Sequence, residues 1–107
     1  MNTTIEEFKK CDIRIGKILS AEKAENADKL LKLEVDFGEF KRQIVSGIAQ
    51  WYKPEDLVGK LLPFIVNLEP RTFRGLESQG MLMAVSGEDR PILLEPQGDA
   101  KPGDKIV

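Results

Sequence analysis

The chain has 107 residues, 41% of them hydrophobic and 32% charged, with a net charge of −2; this fits one globular domain with a modest core and excludes a disordered chain or a typical two-domain enzyme. It holds no histidine and a single cysteine, Cys11, which removes the commonest neutral-pH base and metal ligand and any internal disulfide. No apolar run nears the ~18 residues of a membrane span and no basic-then-apolar leader stands at the N-terminus, so a cytoplasmic protein with no membrane partner, cofactor or metal is expected.

In chain order, Thr4-x-x-Glu7 is a capping-box pattern and predicts a short helix over about residues 4–10, with Ile5 and Phe8 on one face covering an end of the core. Asp12 to Ala21 alternates as a strand, with Gly16 expected as a bulge or bend. The polar residues 22–28 read as a loop. Leu31, Leu33, Val35 and Phe37 then alternate with charged residues as a half-buried strand, and Gly38-Glu39 turns the chain into a third strand over about Phe40–Ser46. Pro54 to Val58 reads as one helical turn stopped by Gly59. Leu61–Val66 makes a fourth strand, where Pro63 predicts an edge or bulge. A polar loop is expected from Glu69 to Gln79, a fifth strand over Met81–Val85, and a trailing β extension through Ile92-Leu93-Leu94 to Ile106-Val107.

Five short strands with a helix between the third and fourth predict an all-β, five-stranded barrel of the OB type spanning residues 1–107 as one domain. Other small β-barrels share this pattern, because periodicity does not reveal strand order. Such barrels hold RNA, DNA, sugars or peptides, so the function has to come from particular residues.

Five segments carry a resemblance. Asp12-Ile13-Arg14-Ile15-Gly16-Lys17-Ile18, Ala27-Asp28-Lys29-Leu30 with Leu33-Glu34-Val35-Asp36, Arg42-Gln43-Ile44-Val45-Ser46-Gly47-Ile48-Ala49, Val66-Asn67-Leu68-Glu69-Pro70-Arg71 and Arg74-Gly75-Leu76-Glu77-Ser78-Gln79-Gly80-Met81 occur in the family's order over about residues 8–107. The chain thereby resembles the tRNA-binding domain family, which includes free-standing structure-specific tRNA-binding proteins and the C-terminal appendage of many methionyl-tRNA synthetases. The resemblance implies an OB barrel, a C-terminal extension (about residues 86–107) through which two copies associate, and binding of tRNA by its folded shape near the elbow. Two departures stand out: Ala24 and Glu25 replace a His-Pro frequent in relatives, and Thr72 replaces a lysine, which removes one positive charge.

Within those segments the residues divide by chemistry. Arg71 and Arg74 lie three apart on a polar loop and are candidates for phosphate contact, against the plainer reading of a solvated loop. Lys32 adds a cation on the second strand, and of the neighbours Lys41 and Arg42, which face opposite ways, Arg42 is chosen because it falls in a matched segment. Asn67 ends an apolar strand and could meet a ribose 2′-hydroxyl or a backbone group. Ser78 could donate to a phosphate, and Met81 could lie against a base or pack in the core. The adjacent Trp51 and Tyr52 read better as packing for the Pro54 turn than as a stacking site.

The expectation is therefore a non-catalytic, shape-specific tRNA-binding module, a homodimer through Ile92, Leu93 and Leu94, and a part or partner of a methionyl-tRNA synthetase catalytic region in cis or in trans. The alternative is a peptide-binding secretion chaperone built on a related dimeric barrel. The acidic balance does not oppose RNA binding: residues 1–74 carry 13 basic and 12 acidic side chains, and residues 75–107 carry 3 and 6.

Overall fold

In a computed structural model describing residues 1–107, a capped helix α1 (Ile5–Lys9) leads into a long first strand β1 (Ile13–Ala24) that organises the fold. After it come β2 (Ala27–Asp36), β3 (Lys41–Ser46), the helical turn α2 (Pro54–Leu57), β4 (Leu61–Ile65), β5 (Arg71–Phe73), β6 (Leu76–Ser78), β7 (Met81–Leu82), β8 (Ala84–Ser86) and β9 (Pro91–Leu93). The barrel wall is a five-stranded sheet in the order β3-β2-β1-β4-β7, with β5–β6 and β8–β9 as separate hairpins. Every pairing in it is antiparallel.

β1 is long enough to serve two partners, β2 along Lys17–Ala24 and β4 along Ile13–Lys17. Where β2 leaves it, the C-terminal segment takes over the ladder: Gly103 N–H donates to Ile15 O at 2.7 Å, Ile15 N–H to Asp104 O at 2.8 Å and Ile106 N–H to Ile13 O at 2.9 Å. Gly16 is not the expected bulge. It stays in register opposite Leu62, and a Cβ there would run into Val35 Cγ1 and Phe37 Cε1, so glycine permits close packing rather than a bend. The bulge falls instead at Leu19, where pairing passes from Ile18 to Ser20.

The inward set of Ile18, Leu31, Leu33, Val35, Ile44, Leu62 and Phe64 is buried, and Leu57 of α2 is buried with it. Each such side chain contributes roughly 1.5–3 kcal/mol of burial. Phe37 meets Phe64 edge-on, with centroids 5.5 Å apart, and stacks on Phe40 at 5.3 Å.

Several other expectations change in the folded chain. Residues 22–28 are not a loop; β1 and β2 run through them and turn at Glu25-Asn26, and their polar character reflects exposed side chains such as Glu22, Lys23 and Asp28. The segment Glu69–Gln79 is likewise a hairpin, β5–β6. The single strand expected over Met81–Val85 breaks at Met83, because Met81 and Leu82 pair with β4 whereas Ala84–Ser86 pair with β9. Pro63 sits inside the sheet but directs its backbone toward the end of the β4–β7 ladder, where only its carbonyl is used, accepting from Met83 N–H at 3.0 Å. Helix α1 is capped as predicted, Thr4 Oγ1 accepting from Glu7 N–H at 3.1 Å. Ile5 and Phe8, however, remain 58% and 41% exposed and cover no part of the core.

Candidate nucleic-acid interface

At one end of the barrel two tight turns flank a groove. The β5–β6 hairpin closes with Phe73 opposite Leu76, leaving Arg74 at φ 51° and Gly75 at φ 84° as its two central residues. Positive φ at both is the type I′ arrangement that matches strand twist. Glycine adopts it freely; arginine is held in a conformation that costs a non-glycine residue roughly 1 kcal/mol or more. The β1–β2 turn also carries a left-handed residue, Asn26 at φ 60°. Between the turns lie Asn26, Lys29, Leu30, Phe73 and Arg74. Lys29 reaches the groove because β2 has surplus residues there: pairing with β1 passes from Leu31 directly to Ala27. Arg71 extends from the base of the hairpin and places its guanidinium 4.9 Å from the centre of the Phe73 ring.

Other predicted contacts serve the protein's own backbone. Ser78 is 3% exposed; its hydroxyl accepts from Val45 N–H at 2.9 Å and donates to Gly80 O at 2.8 Å. Asn67 accepts from Asp12 N–H at 2.8 Å and donates to Lys10 O at 2.6 Å, tying the end of β4 to the start of β1. Arg42 pairs in register with the core residue Val35, so it lies on the inward side of β3. There its guanidinium stacks on Phe40 at 4.6 Å and donates to Val66 O and Gln79 O at 3.3 and 3.4 Å. Lys41, its neighbour, is exposed and faces the outside with Gln43. Of the two cations, Lys41 is the more exposed, while Arg42 is held by these backbone carbonyls and also borders the concave surface that Lys41 lines.

Lys32 shares the outer sheet face but is engaged by Glu22, Nζ to Oε1 at 2.7 Å. The hydrogen bond and charge of Glu22 raise the Lys32 pKa above its ordinary value. Glu34 adds a second carboxylate to the same concave surface. This face offers donors and acceptors for sugar hydroxyls and base edges rather than a uniformly positive field for phosphate.

Met81 is 46% exposed and lines a different groove, together with Trp51, Val85 and Arg90. The aromatic pair divides: Tyr52 packs on the core and donates its hydroxyl to Pro91 O at 2.7 Å, whereas Trp51 remains 40% exposed. The proposed dimer residues divide by strand alternation too. Leu93 packs against the core, while Ile92 and Leu94 are exposed. Leu94 borders an apolar depression with Phe8, Ile13, Pro63 and Met83. Reading the residues singly missed Phe73; the signal that could have found it is an aromatic residue set between Arg71 and Arg74.

Known proteins are similar to this chain in sequence and in shape. The model of the putative tRNA-binding domain family matches residues 13–105. The chain is 48% identical over 103 residues to the methionine–tRNA ligase of Archaeoglobus fulgidus and 52% identical over 103 residues to that of Thermotoga maritima. Each match covers 96% of this chain and 16% of the ligase, so the chain spans about one-sixth of the length of these relatives. Among solved structures it is similar to a MetRS-related protein from Pyrococcus horikoshii, with a TM-score of 0.95 and 40% identity over 100% of this chain and 99% of that one. It is also similar to the chaperone CsaA from Bacillus anthracis, with a TM-score of 0.90 and 32% identity over 100% of both chains.

Proposed function

Because this chain belongs to the putative tRNA-binding domain family, we propose that it is a non-catalytic module that binds tRNA by its folded shape and lends that grip to a methionyl-tRNA synthetase catalytic region, in cis or in trans. The observation that carries this reading is the gathering of Lys29, Arg71 and Arg74 around one groove while the ion pairs Lys10–Glu7, Arg14–Asp12, Lys32–Glu22 and Lys60–Glu95 engage other cations. Cations on and beside two turns, with the exposed Lys41 on the adjoining sheet face, suit phosphates spread over a curved RNA surface. The net charge of −2 predicts modest affinity. Its use would be effective concentration, holding tRNA near a catalytic body that reads identity elsewhere.

The module acts in the cytoplasm as a homodimer in this proposal. Ile92 and Leu94, with the exposed Ile5, Phe8 and Ile106 nearby in the α1–tail region, supply an apolar face of the kind that two-fold association buries.

Titration with folded tRNA, the same tRNA unfolded, and an unfolded polypeptide tests the reading. Tightest binding to folded tRNA, weakening with salt, is expected. Equal affinity for folded and unfolded tRNA would remove shape recognition, and preference for the polypeptide would replace the proposal with a chaperone role, which the full-length likeness to CsaA makes the specific rival.

A further inference from the structure

Phe73 stands apart from the other phenylalanines. Phe37 and Phe64 are in the core, Phe40 packs on it, and Phe8 is exposed on α1. Phe73 is half-buried, belongs to none of the packing around the core, and lines the groove between the two turns. Its position along β5 puts it on the same side of the hairpin as Arg71, two residues earlier, whose guanidinium lies 4.9 Å from the ring centre. The groove also receives Lys29 and Arg74, with Asp28 as its acidic member. A planar ring and a planar guanidinium, surrounded by an excess of cations and backed by no core, make a surface for a flat, anionic ligand.

Given that the domain binds folded tRNA as proposed above, we infer that the Arg71–Phe73 stack is a platform for one nucleobase that is unpaired or terminal in the folded RNA. The base lies on the stack, and Arg74 and Lys29 meet the phosphates on either side. Every base has a π face, so the platform reads the presence of an accessible base at a fixed distance from phosphates, not its identity. Shape recognition follows: a continuous duplex presents phosphates but no free base, and an unfolded strand presents bases without the fixed phosphate spacing.

Stacking and charge contacts respond differently to salt, and this gives the test. Phe73→Leu keeps apolar bulk but removes the flat ring, and should weaken folded-tRNA binding roughly 5- to 150-fold while leaving the slope of log K against log salt unchanged. Binding of a fully paired RNA duplex should not change. In a Trp51→Phe background, Phe73→Trp leaves a single tryptophan, on the platform; this variant should retain affinity, and its emission should be quenched as tRNA saturates the protein. Wild-type affinity in the folded Phe73→Leu variant, or unaltered tryptophan emission at saturation in the Phe73→Trp variant, would overturn the platform. Both outcomes require that the wild-type protein binds folded tRNA, so failure of that first measurement identifies the parent reading as the fault.

Discussion

The hydroxyl of Ser78 accepts a hydrogen bond from the backbone N–H of Val45 at 2.9 Å, joining β6 to β3 where the barrel sheet has no strand ladder. Beside it, Gln79 N–H donates to Gln43 O at 2.8 Å and Gln43 Nε2 donates to Glu77 O at 2.8 Å. The seam is therefore stitched largely by side chains, and the candidate groove hairpin hangs directly from it.

Ser78→Ala leaves the buried Val45 N–H and Gly80 O without that partner. It should cost about 1–3 kcal/mol, read as a lower denaturation midpoint. For a domain of this size each kcal/mol corresponds to about 4 °C or more in Tm. The tRNA affinity of the folded variant should stay near wild type, because the hydroxyl faces inward; a large loss of affinity in a stable variant would restore Ser78 as an RNA contact.

Arg74 offers the opposite separation. Asparagine tolerates the left-handed turn better, so Arg74→Asn should raise stability by roughly 1 kcal/mol while weakening tRNA binding. Combined with Arg71→Ala it removes two cations and should flatten the slope of log K against log salt by about 1.4–1.8. Salt titrations of the double variant check this; an unchanged slope rules out phosphate contact by these arginines.

Glu22 restrains Lys32. Glu22→Gln releases the ammonium and removes a carboxylate from the concave face, so tRNA affinity should rise a few-fold and the salt slope should steepen by about 1. The pair is exposed and held at 2.7 Å, so stability should move by less than about 1 kcal/mol. Unaltered affinity would place Lys32 outside the interface.

Asp12 is one carboxylate through which acid acts on the fold. The hydrogen bond from Arg14 Nε at 2.9 Å, reinforced by its charge, holds the Asp12 carboxyl below its ordinary 3.8. A depressed carboxyl stabilises the native state fully above its unfolded pKa and loses that contribution as pH falls through the lower, folded one. Asp12→Asn should therefore be less stable than wild type at neutral pH, and the gap in Tm should close as pH drops below about 4. Melting curves from pH 2 to pH 7 read this directly.

Strand alternation separates the residues of the C-terminal extension. Ile92→Glu with Leu94→Glu should yield a folded monomer in sedimentation, since both side chains are exposed. Leu93→Glu should unfold the domain, because it puts a charge against the core. A wild-type monomer at micromolar concentration would remove the dimer proposal.

The amino-acid sequence by itself determined the barrel class, because alternation at Leu31, Leu33 and Val35 and the Pro54 turn are local signals. Its ordered motifs also carried the family. Tertiary structure decided what each motif residue does. Ser78 meets a partner 33 residues away and Asn67 one 55 residues away, distances at which sequence spacing holds no information. The same limit hid the inward turn of Arg42, the division of Leu93 from Ile92 and Leu94, and the pairing of Lys32 with Glu22, all of which follow from cross-strand register. A polar segment can be a solvated loop or the outer face of a hairpin, and only the pairing of Arg71–Phe73 with Leu76–Ser78 brought Phe73 into the groove.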